Sequence, residues 1–362
     1  MRRLVAGIRA DDGADRSGAV NPTGIPLSAS NPHRPEVAPV PRGAIRPLWS
    51  VMIPAYNAAD TLAQTLASVL AQDPGPTAME IEVVDDASTQ GDCGAMVARL
   101  GRGRVAFHRQ ARNLGATGNF TDCIRRARGH LVHLLHADDL VEPGFYARMQ
   151  RAFEADRRVG AAFCRHFFID AAGRELSLSP LERLQSGILD QAPRRLAEEQ
   201  RIMAPSIVVR RDVYEKLGGF DDRLVCAEDW EMWVRIAARY PVWYETEPLA
   251  RYRMHDNSNT GRHLRSGEDM HYTAMAIALF LEHLPRDLAA SVGPKARRTY
   301  ALSALRSARL LLQRRDWIGA AAQIREALRL SQRPAVLAKA GRLLLSSGAS
   351  MLARRSQPSA SS

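Results

Sequence analysis

Cysteine is scarce in this 362-residue chain. The four that occur, Cys93, Cys123, Cys164 and Cys226, stand at least thirty positions apart, and no two have CxxC spacing. That excludes a zinc knuckle or dithiol redox motif and fits a reducing compartment. Long apolar runs are missing as well. None reaches the roughly 18–20 residues a bilayer span requires; the stretch around Leu343–Leu345 is cut by Arg342, Ser346 and Arg354. The opening MRRLVAGIRADDG is arginine-bearing but has no apolar core of the roughly 7–15 residues a secretory leader needs. A cytoplasmic location is the expectation. With 25 Gly, 20 Pro and 25% charged residues, the chain is neither collagen-like nor disordered throughout. What is present, 46% hydrophobic residues, suffices for a sizeable core divided over two or three folded units.

The net charge of +11 is unevenly placed. From Lys295 onward, fourteen Lys or Arg face two acids, Asp316 and Glu326, so everything before Lys295 is close to neutral. The body therefore gives no reason to expect nucleic acid. The basic end suits a solvated face, contact with an anionic membrane surface, or a partner protein.

Residues 1–46 are rich in proline and glycine without apolar periodicity, which predicts a disordered arm. At Trp49 the texture changes. Apolar runs at 50–57, 80–88, 104–108 and 130–139 predict strands. Helical patterns lie between them: Leu62, Leu66, Val69 and Leu70 within 58–72, a short helix at 95–100, and one at 117–128 closed by Gly129 as C-cap. Such alternation predicts an α/β fold with a mostly parallel sheet and helices on both faces. Further strands are expected at 161–170 and 204–211 and in VWYET and LARYRMH, with helices at 212–217 and 228–239. From about Glu268 the pattern is helical, with one tetratricopeptide-like hairpin turning near Arg315–Asp316. The predicted domains are thus 1–46, 47–262, a basic helical extension at 263–355, and a frayed tail at 356–362.

In open α/β sheets, ligands bind beyond the carboxyl ends of the strands. Three early strands end in Pro54-Ala55-Tyr56-Asn57, Asp85-Asp86 and His136-Ala137-Asp138-Asp139. Acids gathered along one edge need positive charge between them, from a hard divalent cation with its phosphates or from arginines. Each residue also has a plain structural use. A strand-terminal Asp can cap a helix, Tyr56-Asn57 can serve a turn, His136 can be a satisfied buried histidine, and Glu228-Asp229 can open a helix. Trp230, Trp233 and Trp243 suit either packing or stacking on a ring.

The segments SVMIPAYN, EVVDDAS, RNLGATGNF, HLLHADDLVEPG, AEDWEMWVR and YRMHDNS, in that order over residues 50–258, resemble the inverting family 2 glycosyltransferases of the GT-A fold. The resemblance implies a Rossmann-like nucleotide-diphospho-sugar domain. It implies transfer from a nucleotide-diphosphate sugar, UDP-sugar first, to a hydroxyl of a glycan or lipid-linked acceptor in cell-surface or exopolysaccharide biosynthesis. Pro54, Ala55, Tyr56 and Asn57 would line the nucleotide pocket. Asp86, supported by Asp85, would take the base edge, and Arg112 the diphosphate or base. Asn113, Gly115 and Asn119 would close over the nucleotide, with Asp138 and Arg253 reaching the donor. Asp138 and Asp139 would hold Mg²⁺ or Mn²⁺, joined by His136 and His255. Many members carry an acid where this chain has His136. Asp229, with Glu228 beside it, would be the catalytic base. A membrane location would then be peripheral, on the inner face, where lipid-linked acceptors sit. Two alternatives are a degenerate transferase acting as a scaffold and a sugar-phosphate nucleotidyltransferase. The latter opens with a glycine-rich segment where this chain has PAYN.

Overall fold

The structure is a computed structural model and describes residues 31–254 and 263–355. The chain divides into two compact units, one of residues up to 196 with 200–255, the other of 197–199 with the residues from 256 on.

The first unit is built on ten strands: β1 (Trp49–Ala55), β2 (Met79–Asp85), β3 (Ala106–Arg109), β4 (Leu131–Leu134), β5 (Leu140–Val141), β6 (Ala161–Ile169), β7 (Glu175–Leu178), β8 (Gly187–Ile188), β9 (Ile207–Arg210) and β10 (Val242–Arg253). Its helices are α1 (Ala59–Leu70), α2 (Cys93–Gly101), α3 (Gly115–Arg126), α4 (Phe145–Ala155), α5 (Ala192–Glu198), α6 (Arg211–Leu217) and α7 (Glu228–Ala237). The strands form one sheet in the order β3-β2-β1-β4-β9-β6-β10-β5, with β7 added to β6 and β8 to β10. Six of the eight strands along that path share a direction; β9 and β5 run against them.

All seven residues of β1 are buried, as a continuous apolar run predicts for a strand covered on both faces. Val51, Ile53 and Ala55 pack with Leu62, Leu66 and Val69 of α1 and Cys93 and Val97 of α2. Met52, pointing the other way, is equally buried, and α3 packs against β1 and β4. The four cysteines are free and buried.

Several expectations are corrected. Residues 31–46 form no disordered arm but a strap: Val37 is fully buried, and Pro35 O and His33 O accept the Gly219 and Asp222 amides at 2.8 Å. Residues 1–30 lie outside the described residues, as does the tail at 356–362. Gly129 does not cap the helix, which ends at Arg126 with Ala127 in an extended conformation. Gly129 instead passes so close to β1 that a Cβ would stand 2.6 Å from Ser50 N and from the Trp49 carbonyl carbon. The strand expected at 204–211 begins with a 3₁₀ turn at Ala204–Ser206, and VWYET and LARYRMH merge into one strand, β10, with irregular register between Glu245 and Ala250.

The second unit is helical: α8 (Glu268–Leu281), α9 (Arg286–Gln313), α10 (Trp317–Leu330) and α11 (Pro334–Arg355). A three-residue link folds α10 back on α9. Asp316 caps α10, its Oδ1 accepting the Gly319 amide at 3.0 Å. Gln323, buried, donates to Asp269 Oδ1 at 2.8 Å and to Leu264 O at 2.7 Å.

Candidate active site

The first three site segments meet because β2, β1 and β4 are adjacent and parallel. Ala55 lies beside Asp85 in register. Beyond the ladder, the Asp86 amide donates to Ala55 O at 2.8 Å, and the Ala137 amide to Pro54 O at 3.3 Å. Strand neighbours are about 4.8 Å apart, so the acids after β2 and after β4 flank the end of β1 within roughly 10 Å.

Asp85 is buried and committed within the fold. It accepts from the Ser88 amide and hydroxyl and pairs with Arg109 Nη1 at 3.2 Å. Asp86, also buried, accepts the Leu114 amide at 2.7 Å at the start of α3. Burial pushes its carboxyl upward, and that amide opposes the shift. Asn57 anchors the loop after β2: its Oδ1 accepts the Thr89 and Gln90 amides at 2.8 and 3.0 Å. Tyr56 is exposed at the rim, as are Arg112, Asn113 and Gly115. Asn113 Nδ2 donates to Asp86 O at 3.2 Å. Asn119 is buried away from the rim. Its Nδ2 donates to Val84 O at 3.0 Å and its Oδ1 accepts from Gln110, so it stitches α3 to β2.

After β4, one ligand atom each from His136, Asp138 and Asp139 lie within 4.8 Å of one another. His136 is stacked on Phe120, with centroids 4.7 Å apart. Burial lowers its basicity and so favours the neutral, ligating imidazole. Asp139 is buried, and burial followed by the charge of Asp138 pushes its carboxyl well above the usual range, against the Arg253 amide. Asp139 Oδ2 and His136 Nε2 are buried polar atoms without a protein hydrogen bond. A buried carboxylate oxygen and an imidazole nitrogen left over beside a second carboxylate are the donor set of a small divalent cation, so these residues fit one. Thr61 and Thr65, one turn apart on α1, hold the loop by donating to Ala137 O at 2.9 Å each.

Arg253 has a different task from the one expected. It is buried, and its guanidinium is occupied by Asp138 O (2.7 Å), Ala171 O (2.9 Å) and Gln64 Oε1 (2.8 Å), while its amide donates to Asp139 Oδ1 at 2.8 Å. It secures the acidic loop from behind rather than reaching outward to a diphosphate. His255 lies outside the described residues.

Glu228 and Asp229 open α7, preceded by Ala227 in the left-handed region at φ 62°. Non-glycine residues rarely adopt that conformation. Asn57 (φ 51°), after β1, and Ala87 (φ 56°), after β2, share it. Gln200 Nε2 donates to both Asp229 oxygens at 2.9–3.0 Å, and the Trp230 amide to Oδ1 at 2.7 Å. Burial, opposed by these donors, brings Asp229 up to about 6. Glu228 Oε2 is buried without a partner, and burial and then the neighbouring Asp229 charge push its carboxyl well above the usual range.

The Tyr252 phenol is pushed far up by burial and then by the charges of Asp139, Asp229, Asp138 and Glu228, an electrostatic link between the two acid groups. A run of aromatics makes a second connection, from His136 to Phe120 to Phe220 to Trp233, one turn beyond Asp229 on α7. Trp230 and Trp233 are buried in this packing and offer no face to a sugar; Trp230 Nε1 donates to Leu196 O. Sequence reasoning missed Gln200, Tyr252, Phe120 and the Thr61–Thr65 pair. Only the threonines carried a signal, their i, i+4 spacing on a helix that flanks the acids.

Acid-tipped parallel strands facing a carboxylate-bearing helix define the GT-A class of α/β domain. Residues 50–218 match glycosyl transferase family 2 and form a domain of that family. The succinoglycan biosynthesis protein ExoU of Rhizobium meliloti (strain 1021) is 31% identical over 233 residues, 59% of this chain and 64% of that protein. The chain spans 66%, 53% and 69% of the length of the first three curated relatives it matches. Among solved structures, S. aureus TarS 1-349 in complex with UDP-GlcNAc matches with a TM-score of 0.55 at 15% identity, over 78% of this chain and 91% of that one. The mannosyltransferase PcManGT from Pyrobaculum calidifontis, in complex with GDP-Man and Mn²⁺, gives 0.50 at 20% identity, over 87% and 83%. At such identities the likeness speaks for the fold.

Proposed function

We propose that this chain transfers a sugar from a nucleotide-diphosphate sugar, a UDP-sugar in the first instance, to a hydroxyl of a glycan or lipid-linked acceptor, with inversion. The observation that carries this reading is the set of His136, Asp138 and Asp139, whose ligand atoms lie within 4.8 Å of one another after β4 in a domain that matches glycosyl transferase family 2. The Glu228–Asp229 pair at the start of α7 offers a separate proton acceptor.

Burial and the neighbouring Asp229 charge push the Glu228 carboxyl well above the usual range, which favours placing the pair's negative charge on Asp229. Asp229 takes the proton of the acceptor hydroxyl as that oxygen attacks the anomeric carbon from the face opposite the leaving nucleotide. Gln200 aims the carboxylate. Asp86 offers an acceptor to the base edge, with Tyr56 and Asn57 along the same rim, Pro54 and Ala55 buried behind them in β1, and Arg112 free of the core to meet phosphate or base. Asn119 holds α3 to that rim from within. Mg²⁺ or Mn²⁺ held by Asp138, Asp139 and His136 would neutralise the diphosphate of the leaving group. The solved relative that carries Mn²⁺ and the leftover oxygen and nitrogen of Asp139 and His136 support that cation. The name of ExoU supports a place in polysaccharide assembly. No described helix is long and apolar enough to cross a membrane, and we place the enzyme peripherally, on the cytoplasmic side.

The test is nucleotide release from UDP-GlcNAc, UDP-Glc and GDP-Man by the purified chain, with Mn²⁺, Mg²⁺ or EDTA. Metal-dependent release from one donor is expected. Nucleotide affinity that is the same in EDTA as in Mn²⁺, with no release from any donor, would overturn the reading in favour of a scaffold.

A further inference from the structure

The tip of the α9–α10 hairpin has the wrong surface for a solvated turn. Ile318 is 86% exposed, the most exposed large apolar side chain described in the second unit, and Leu310 and Trp317 beside it are 58% and 39% exposed. The buried stripe of α10 runs through Ala320, Ile324, Ala327 and Leu330, and neither Trp317 nor Ile318 belongs to it. All three apolar residues fall in the last turn of α9 or the first turn of α10, so they share one end of the hairpin. Exposed Arg309, Arg314 and Arg315 flank them. Arg315 takes the left-handed conformation (φ 61°) that keeps the turn tight.

Charge is one-sided there. The single acid of the tip, Asp316, caps α10 and pairs with Arg265 at 2.5 Å. The other acid beyond Lys295, Glu326, is shared by Arg325 and Arg329 at 2.9 and 2.8 Å. Both negative groups are thus offset by arginines, and the tip remains cationic. An indole and a branched aliphatic side chain on a narrow tip, ringed by guanidinium groups, match a flat surface that is apolar beneath and anionic on top.

We propose that this tip docks the chain on an anionic bilayer. Trp317 and Ile318 enter the boundary between headgroups and acyl chains, and Arg309, Arg314 and Arg315 pair with lipid phosphates. The surface lies wholly in the helical unit and does not depend on the transferase reading. The experiment is cosedimentation of the full chain with vesicles of phosphatidylcholine alone or with added phosphatidylglycerol. Binding is expected only to the anionic vesicles, with a blue shift of tryptophan emission that Trp317→Phe diminishes. Trp317→Ser with Ile318→Ser, and separately Arg314→Gln with Arg315→Gln, should each weaken partitioning by about tenfold or more without moving the melting temperature. No sedimentation of the parent chain with anionic vesicles would overturn the proposal, as would equal sedimentation of parent and variants. A vesicle-free oligomer that the Ser variant dissolves would make the tip a protein contact instead.

Discussion

Glu228 and Asp229 are consecutive carboxylates that their surroundings drive apart. Glu228 is buried without a partner for one oxygen, whereas Asp229 receives two amide-group donors that favour its charged form. Asp229→Asn should therefore lower turnover by roughly 10²–10⁴ while leaving nucleotide affinity unchanged, as steady-state rates and calorimetry can check. A carboxyl at about 6 is ionised, and able to accept a proton, above that pH. Turnover should fall as pH drops through about 6. Gln200→Ala removes a donor that stabilises the charge, so it raises the carboxyl further and should move that acid limb to higher pH. A limb that stays in place in a pH–rate profile would exclude Asp229 as the titrating base. Behind the acidic loop, Arg253 bonds the Asp138 carbonyl and Asp139 Oδ1. Groups that orient ligands are worth about 10–100-fold in metal affinity. Arg253→Met should weaken Mn²⁺ binding by that factor in a titration made without nucleotide. The acids after β2 and β4 were legible in the sequence, because polar residues at the ends of apolar runs announce strand ends; the role of Asp229, which opens a helix, was indicated only by the resemblance to family 2 glycosyltransferases. Their partners were not: Gln200 and Arg253 reach them only through the tertiary fold.

Among the elements, those dictated by local pattern were legible. The β1 run without alternation predicts a strand buried on both faces, and the α1 spacing predicts its inward stripe. The direction of β9 could not be read, since a strand of three apolar residues and an arginine pairs equally well either way. The strap at 31–46 escapes a reading by composition because its binding is polar. Arg34 is nearly buried and lies 3.4 Å from both Asp221 and Glu231, and Glu231 pairs with Arg235 on α7. Composition cannot reveal such a network. Without Arg34, Asp221 keeps Arg223 and Glu231 keeps Arg235, so its removal strands no charge but loses contacts to charged groups worth about 1–3 kcal/mol. Arg34→Met should destabilise the first unit by that order in urea titration, and loss of less than ~0.5 kcal/mol would make the strap ornamental. Gly129 suggests a cap because glycine after a helix usually is one. Its actual constraint is contact with the β1 backbone, which cannot yield as a side-chain tip can. Gly129→Ala should cost about 1–3 kcal/mol by the same measurement, in the range of overpacked cores.

At the scale of the whole molecule, chemistry and charge are separated. The acids that would hold a donor belong to the first unit, while the cationic excess belongs to the helices after Lys295. That separation makes ligand linkage a sharp measurement. A ligand that binds only the folded first unit stabilises it by about 2.7 kcal/mol at a hundredfold excess over its Kd. Buried Asp139, held above the usual carboxylate range in the absence of a cation, should contribute to that linkage. Its charge disfavours folding until a cation compensates it, so Mn²⁺ alone should already raise the first unit's melting temperature at pH 7. The gain should shrink as pH falls and protons displace the metal from Asp138, Asp139 and His136. UDP should add a second increment in Mn²⁺ and a much smaller one in EDTA. Asp138→Asn should remove the metal increment and with it most of the nucleotide's. Calorimetric scans would show this as displacement of one transition, with any separate transition of the helical unit unmoved. Equal UDP increments with and without Mn²⁺ in the parent chain would detach the nucleotide from the acidic loop and leave His136, Asp138 and Asp139 without a part in donor binding.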